Sequence, residues 1–401
     1  MQLSAAGAYA VGSTCVIDDN QRLLCWGGYL QNFMYHEPPP PDSPPQYTHY
    51  VPMPDNEGVA AVSVSSNHAC ALLRSGSVAC WGEGDYGQLG YGGRADLGKT
   101  AATTPDKNGR VPLPADTYAV GVSVGDDFSC ALLNTSRVLC WGRATSGQLG
   151  YVPPAGMDHT ASTNVATLPY VPLPNNASAL AISGGLELTC AILDSGSVHC
   201  WGAYAEQVLD SDSHQAVRMP GNDSALYISV GRGHVCAITA SQKLVCWGTR
   251  SSALGTDTAW APGPAPPAVV DLGPGNYAVA VSAGSSVTCV ILQTRRVLCW
   301  GSGNFGVLGQ NVSGASQPLN SILLAEMPTV YLGNVDADAI EVADRHACAH
   351  LVNSSTICWG DGGTSGNGIE YTVGDGKLMR PRFWKRTLPP PPGSGGIKLL
   401  R

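Results

Sequence analysis

Fourteen cysteines are the most reactive feature of this 401-residue chain. They fall into seven pairs: Cys15/Cys25, Cys70/Cys80, Cys130/Cys140, Cys190/Cys200, Cys236/Cys246, Cys289/Cys299 and Cys348/Cys358. Members of each pair stand ten positions apart, and each second cysteine is followed by Trp-Gly, at Trp26, Trp81, Trp141, Trp201, Trp247, Trp300 and Trp359. Paired cysteines serve either metal ligation or disulfide formation. Zinc sites favour two to four residues between paired ligands and recruit a nearby His or Cys. Nine intervening residues with an opposed-strand geometry fit disulfides instead, and seven of them imply an oxidising compartment.

Other reactive types are dispersed. His68, His234 and His346 each sit two residues before a cysteine, a repeat position that points to a structural task. Asp126-Asp127 and Asp336-x-Asp338 fall at loop-to-strand junctions, without the twelve-residue loop of a calcium-binding hand. No nucleophile elbow, phosphate loop or dinucleotide fingerprint is present. The seven tryptophans after the cysteines occupy a fixed strand-end position and read as packing residues. No catalytic residue, metal ligand or cofactor is expected. Trp260, outside the repeat, and the loop residues Tyr91 and Tyr151 are the candidate partner contacts.

The elements that hold the cysteines follow from one unit, CALLRSGSVAC at 70–80. Two apolar runs flank Arg74-Ser75-Gly76, a three-residue hairpin loop whose last position needs the left-handed region that glycine supplies. Pairing Leu73 with Ser77 puts Leu72 opposite Val78 and Cys70 opposite Cys80, within disulfide reach. Both faces of the two strands are apolar, as expected of a sheet sandwiched between neighbours. Upstream lies a further apolar run in six units, 59–64, 118–124, 180–183, 226–230, 277–282 and 339–342, preceded in three by VPMP or VPLP at 51–54, 111–114 and 171–174. Proline belongs on an edge strand, so this segment is expected outermost. The second cysteines follow one another at intervals of 55, 60, 60, 46, 53 and 59 residues. Seven such units predict an all-β, seven-bladed β-propeller of four-stranded antiparallel blades with one disulfide in each.

The runs HACALLRSGSVACWGEGDYGQLG at 68–90 and FSCALLNTSRVLCWGRATSGQLG at 128–150 carry a family resemblance. They are similar to the repeat of the regulator-of-chromosome-condensation family, with its His-x-x-Ala-Leu, turn glycine, Trp-Gly and Gly-Gln-Leu-Gly. Unit one lacks Gly-Gln-Leu-Gly, and unit seven has Gly366-Asn367-Gly368-Ile369 instead. The cysteine-bearing form resembles secreted members and the extracellular repeats of crinkly-type plant receptor kinases. The resemblance implies a propeller over residues 1–388, and the proline- and glycine-rich composition of 389–401 marks a tail or linker. The family's founding member is a nuclear exchange factor for a small GTPase. Seven disulfides conflict with that setting, and no segment here matches its exchange element.

Composition narrows the function classes. Charged residues are 13% and the net charge is −8, without a basic stripe, so nucleic acid is not an expected partner. No run of 18 apolar residues occurs, so no membrane-spanning helix is expected. The first residues, MQLSAAGAYAVGSTC, lack the pattern of a signal peptide, so an exported precursor is expected to begin upstream. In a four-stranded meander the longest connections, after Trp26 and at 84–110, 143–170 and 302–330, all leave from one face. Of five Asn-x-Ser/Thr sequons, Asn134, Asn176, Asn222 and Asn353 belong to the opposite face and Asn311 to a long loop. The expectation is an extracellular or cell-surface module that binds a protein or glycoprotein partner through its long-loop face, its oligomeric state open. Alternatives are a receptor ectodomain, a secreted inhibitor, a propeller enzyme or an intracellular exchange factor.

Overall fold

The computed structural model describes residues 3–6, 13–26, 49–152, 160, 163–204, 207–208, 217–249, 251–256, 265–310 and 324–361. Blade one holds β1 (Leu3–Ala6), β2 (Ser13–Ile17), β3 (Leu23–Trp26) and β4 (His49–Val51). Blade two holds β5 (Val59–Val64), β6 (His68–Leu73) and β7 (Val78–Gly82), and blade three β8 (Ala119–Val124), β9 (Phe128–Leu133) and β10 (Val138–Gly142). Blade four holds β11 (Ala179–Gly184), β12 (Leu188–Leu193), β13 (Val198–Tyr204) and β14 (Gln207–Val208). Blade five holds β15 (Ala225–Val230), β16 (His234–Thr239), β17 (Leu244–Gly248) and β18 (Ala265–Val269). Blade six holds β19 (Ala278–Ala283), β20 (Val287–Leu292) and β21 (Val297–Gly301), and blade seven β22 (Ala337–Val342), β23 (His346–Leu351) and β24 (Thr356–Gly360). Each blade is an antiparallel meander, and the innermost strands touch in the order β1, β5, β8, β11, β15, β19, β22 and back to β1. That closure makes seven sheets a ring.

The hairpin arithmetic holds in every blade. Leu72 pairs with Val78 and Cys70 with Cys80, and the six other cysteine pairs face one another in the same register. The disulfides are Cys15–Cys25, Cys70–Cys80, Cys130–Cys140, Cys190–Cys200, Cys236–Cys246, Cys289–Cys299 and Cys348–Cys358, with Cα atoms 4.0–4.2 Å apart. The last loop position is left-handed throughout, yet glycine fills it only at Gly76 and Gly196; Gln21, Ser136, Gln242, Arg295 and Ser354 take the same conformation.

One expectation fails. Among the described residues the blades have three or four strands, not a uniform four, and no ladder forms at 111–114 or 171–174. Each segment keeps a single backbone bond to its blade: Val111 N–H donates to Val78 O and Val171 N–H to Val138 O. The flanking prolines have no N–H to extend the pairing. The correction reaches the second cysteines, each of which a four-stranded blade would cover with its outermost strand. Cys25 is so covered, opposite His49, and Cys246 is covered opposite Ala268. Cys200 is not, because β14 pairs only with Ala203 and Tyr204 beyond it, nor is Cys358, whose described blade ends at β24. Accordingly Cys25 is fully buried and Cys246 nearly so, Cys200 keeps 8% exposure, and Cys358 is half-buried. Elsewhere side chains cover the exposed edge. The Tyr151 hydroxyl donates to Cys140 O at 3.0 Å, the Gln310 amide donates to Cys299 O at 2.8 Å, and the Tyr91 hydroxyl accepts from Cys80 N–H at 3.1 Å.

Blade-to-blade cohesion comes from two polar belts within an apolar packing. In the inner belt, Ser63, Ser123, Ser183, Ser229 and Ser282 each accept the backbone N–H of the next blade's innermost strand, at 2.6–3.1 Å. Those N–H groups lie on an edge strand and would otherwise lack partners. In the outer belt, His68 Nε2 meets Ser129, His234 Nε2 meets Thr288 and His346 Nε2 meets Thr14, at 2.8–2.9 Å. The Ser129 and Thr288 hydroxyls donate to Gln88 O and Ala253 O, so they accept from the histidines, which fixes the proton on Nε2. The same carbonyls take the indole N–H of Trp141 and Trp300, and Gln148 O and Val307 O take those of Trp201 and Trp359. The Gly-Gln-Leu-Gly segment is thus the seat for the following blade's tryptophan.

Candidate functional site

Three surfaces remain for function: two faces and the channel between them. The cysteines belong to none of them. Cys25, Cys200, Cys246 and Cys358, like their partners, lie in the middle of blade strands and are oxidised, so they act as staples within a sheet and take no part in a contact or a reaction.

On the long-loop face the turns between first and second strands ring the channel mouth. Ser66 donates to Asp126, and Asn67 donates to Asp127, whose other carboxylate oxygen lies 3.5 Å from Arg143. Ser146 donates to Glu187 at 3.2 Å. Burial raises the Asp126 carboxyl above its ordinary range; burial and then the adjoining Asp126 raise Asp127. Arginine stacks on aromatic rings at the periphery: Arg143 lies 5.3 Å from the Tyr86 centroid and Arg345 4.4 Å from that of Phe305. The loop at 83–110 is tied to itself, Gly84 N–H donating to Asp96 and Asn108 to Thr103 O and Thr104 O. Aromatic–arginine pairs on rigid loops suit protein recognition. Among the described residues, no three His, Cys, Asp or Glu side chains converge as a metal site.

The opposite face carries the tight hairpin turns and the links between blades. Asn134, Asn176, Asn222 and Asn353 are all exposed there. Turn and link interlock: Tyr118 N–H donates to Asn134 Oδ1 at 3.2 Å, and Ser178 N–H donates to Asp194 at 3.3 Å. Asn311 lies outside the described residues, as do Trp260 and the tail from 389. Tyr91 and Tyr151 are partly buried against the cores, their hydroxyls bonded to backbone, which gives them the task of anchoring loops to blades. His68, His234 and His346 are fully buried in the outer belt. Burial pushes His68 to about 3 and His346 to about 4, so both stay neutral.

The channel holds a cavity of about 380 Å³, lined by the innermost strands. Its wall carries the serine belt, with one exception. Where six blades place serine opposite the first cysteine, blade seven places Glu341, which accepts a hydrogen bond from Ser282 at 3.0 Å. Burial pushes its carboxyl up to about 8. Sequence reasoning missed Glu341; alignment of the units on their cysteines would have shown it as the residue out of series.

The fold and the repeat together define a β-propeller of RCC1-type repeats with one disulfide in each blade. The description "Regulator of chromosome condensation (RCC1) repeat" matches at residues 59–88, 119–148 and 278–307, and in a second form at 75–132. The ultraviolet-B receptor UVR8 of Arabidopsis thaliana is 26% identical over 154 residues, 37% of this chain and 30% of the receptor, so the chain spans less than a third of that relative's length. Human WBSCR16 superimposes with a TM-score of 0.67 at 16% identity, over 85% of this chain and 88% of that one. The ectodomain of the receptor kinase CR4 from Physcomitrella patens gives 0.53 at 19% identity, over 89% and 73%.

Proposed function

We propose that the chain is an extracellular, non-catalytic protein-interaction module of a cell-surface, wall or appendage assembly, which engages its partner through the long-loop face. The observation that carries this reading is the division between faces. The four described sequons are exposed on one face, and the described long loops, the charged turn ring and the aromatic–arginine pairs share the other. A disulfide in every blade favours an oxidising compartment. A protein partner suits a face that pairs arginine with aromatics. The receptor-ectodomain reading uses the same face.

Glycan mapping by mass spectrometry on protein from its native source tests the division. Occupancy is expected at Asn134, Asn176, Asn222 and Asn353; glycan at Asn311 alone would reverse the assignment of faces. Purification with bound partners, followed by substitution of Phe305 and Arg345, tests the contact itself. Partner binding that survives both changes and is lost on substitution of the sequon face removes the reading.

A further inference from the structure

We propose that the channel mouth on the sequon-bearing face is a docking socket for a basic side chain of a partner protein, a lysine or arginine flanked by aliphatic residues.

The socket is built by the repeat. In six blades the register between first and second strands slips by one residue at the same point, leaving Ala60, Val120, Leu180, Leu226, Val279 and Asp338 without a cross-strand partner. A bulged residue is turned out of the ladder. Val120, Leu180, Leu226 and Val279 are accordingly 50%, 59%, 60% and 51% exposed. These strands neighbour one another around the ring, so the bulges form a collar at the start of the innermost strands. The four large aliphatic side chains stand at equivalent positions on four successive innermost strands, and Leu226 also lines the cavity; aliphatic residues exposed in such a series mark a contact.

What the collar surrounds is acidic. The cavity behind it has Glu341 on its wall, and the described serine hydroxyls around it are occupied by backbone N–H groups. Ser282 is the hydrogen-bond partner of Glu341, and among the described residues no cation contributes to its electrostatics. Asp338, the one polar collar position, lies three residues earlier on the same strand and is held by His350. Asp126 and Arg232 line the far end of the cavity. An anionic side chain entering from the collar would face two carboxyl groups. A neutral one would leave the Glu341 carboxyl protonated and unpaired with any charge. A cation converts it to a paired carboxylate. The cavity's 380 Å³ is near the lower end of the roughly 300–1,000 Å³ of ligand clefts, room for one long side chain. The width of the collar calls for aliphatic residues on either side of that chain. This socket is at the opposite end of the ring from the long-loop face and does not depend on the reading of that face.

The test is fluorescence anisotropy on the full chain, with a short labelled peptide that has one lysine between leucines. Saturable binding is expected, weakened at least about tenfold by Glu341→Gln, by Glu341→Ser and by the paired change Leu180→Ser with Leu226→Ser. The same peptide with glutamate for lysine is expected not to bind, and Phe305→Ser on the far face is expected to change nothing. Glu341→Ser installs the residue that six blades already use, so its fold is secure and loss of binding there reports the charge. Absence of saturation with the unaltered protein, equal affinity for the glutamate peptide, or undiminished binding by either Glu341 variant overturns the proposal.

Discussion

Thr189 and Thr288 occupy the same repeat position, one residue before the first cysteine, and both are fully buried. The blade before Thr288 supplies His234, so its hydroxyl accepts at 2.8 Å and donates to Ala253 O at 2.8 Å. The blade before Thr189 supplies Phe128 at the histidine position, and the Thr189 hydroxyl has no partner among the described residues. Valine matches threonine in shape and removes only the hydroxyl. At Thr189 it should relieve the desolvation of an orphaned hydroxyl, a gain of about 1 kcal/mol or more. At Thr288 it should strand the His234 N–H, while the Ala253 carbonyl keeps the Trp300 indole N–H, a loss of about 1–3 kcal/mol. The two changes are chemically identical, so the difference in sign isolates the outer belt. Urea unfolding followed by tryptophan fluorescence measures both, provided the slope of free energy against urea is unchanged. Destabilisation by Thr189→Val to the same extent as Thr288→Val would mean that the histidine–hydroxyl pairs contribute nothing to cohesion between blades.

Other outcomes follow from the same geometry. Gly150→Ala should cost about 2–4 kcal/mol, because φ is 73° and a Cβ would meet the Trp201 indole and Val171 at 2.8 Å; Gly109→Ala, at φ 79° with open space around it, should cost only about 1–2 kcal/mol. Ser136→Gly and Arg295→Gly should each stabilise by about 0.5–1 kcal/mol in the same urea assay, because both hold the left-handed turn position at φ 59° and 61°. The folded protein should offer no thiol to alkylation before denaturing reduction, and replacing one disulfide pair with serines should cost about 2–3 kcal/mol.

The pH dependence has two limbs. His68 and His346, held near 3 and 4, bind fewer protons folded than unfolded, so stability is lost as pH falls below about 6.5. Glu341, pushed up to about 8 from 4.5, keeps a proton that the unfolded chain has released, so stability is lost as pH rises between those values. Thermal unfolding across pH should therefore peak near 6.5 and fall toward 8. Glu341→Ser should flatten the alkaline limb, by no more than about 2 kcal/mol given screening by channel water. An unchanged alkaline limb in that variant would assign the fall to another group.

The hairpins were legible in the sequence by themselves. Ten residues between cysteines, a three-residue loop and apolar runs on both sides determine the pairing of Cys70 with Cys80, because register inside a hairpin is a local matter of turn length and pleat. Repetition then determined seven blades, and the position of turns and sequons determined which connections share a face. Tertiary closure decided the rest. The partner of His68 is Ser129, 61 residues away, and the acceptor for Trp141 is the backbone of Gln88, 53 residues away. Neither carries a local signal, since each depends on how one sheet leans on the next. The proline segments at 111–114 and 171–174 reduced to a single backbone bond each, because a missing N–H removes pairing that strand patterning alone would suggest. Among the described residues Cys25 and Cys246 have a covering strand while Cys200 and Cys358 do not, although all four stand in one sequence register. The aliphatic collar and Glu341 came into view only when the innermost strands met around an axis. A bulge is invisible in a strand's composition, and one acid among six serines acquires meaning only when their strands enclose the same space.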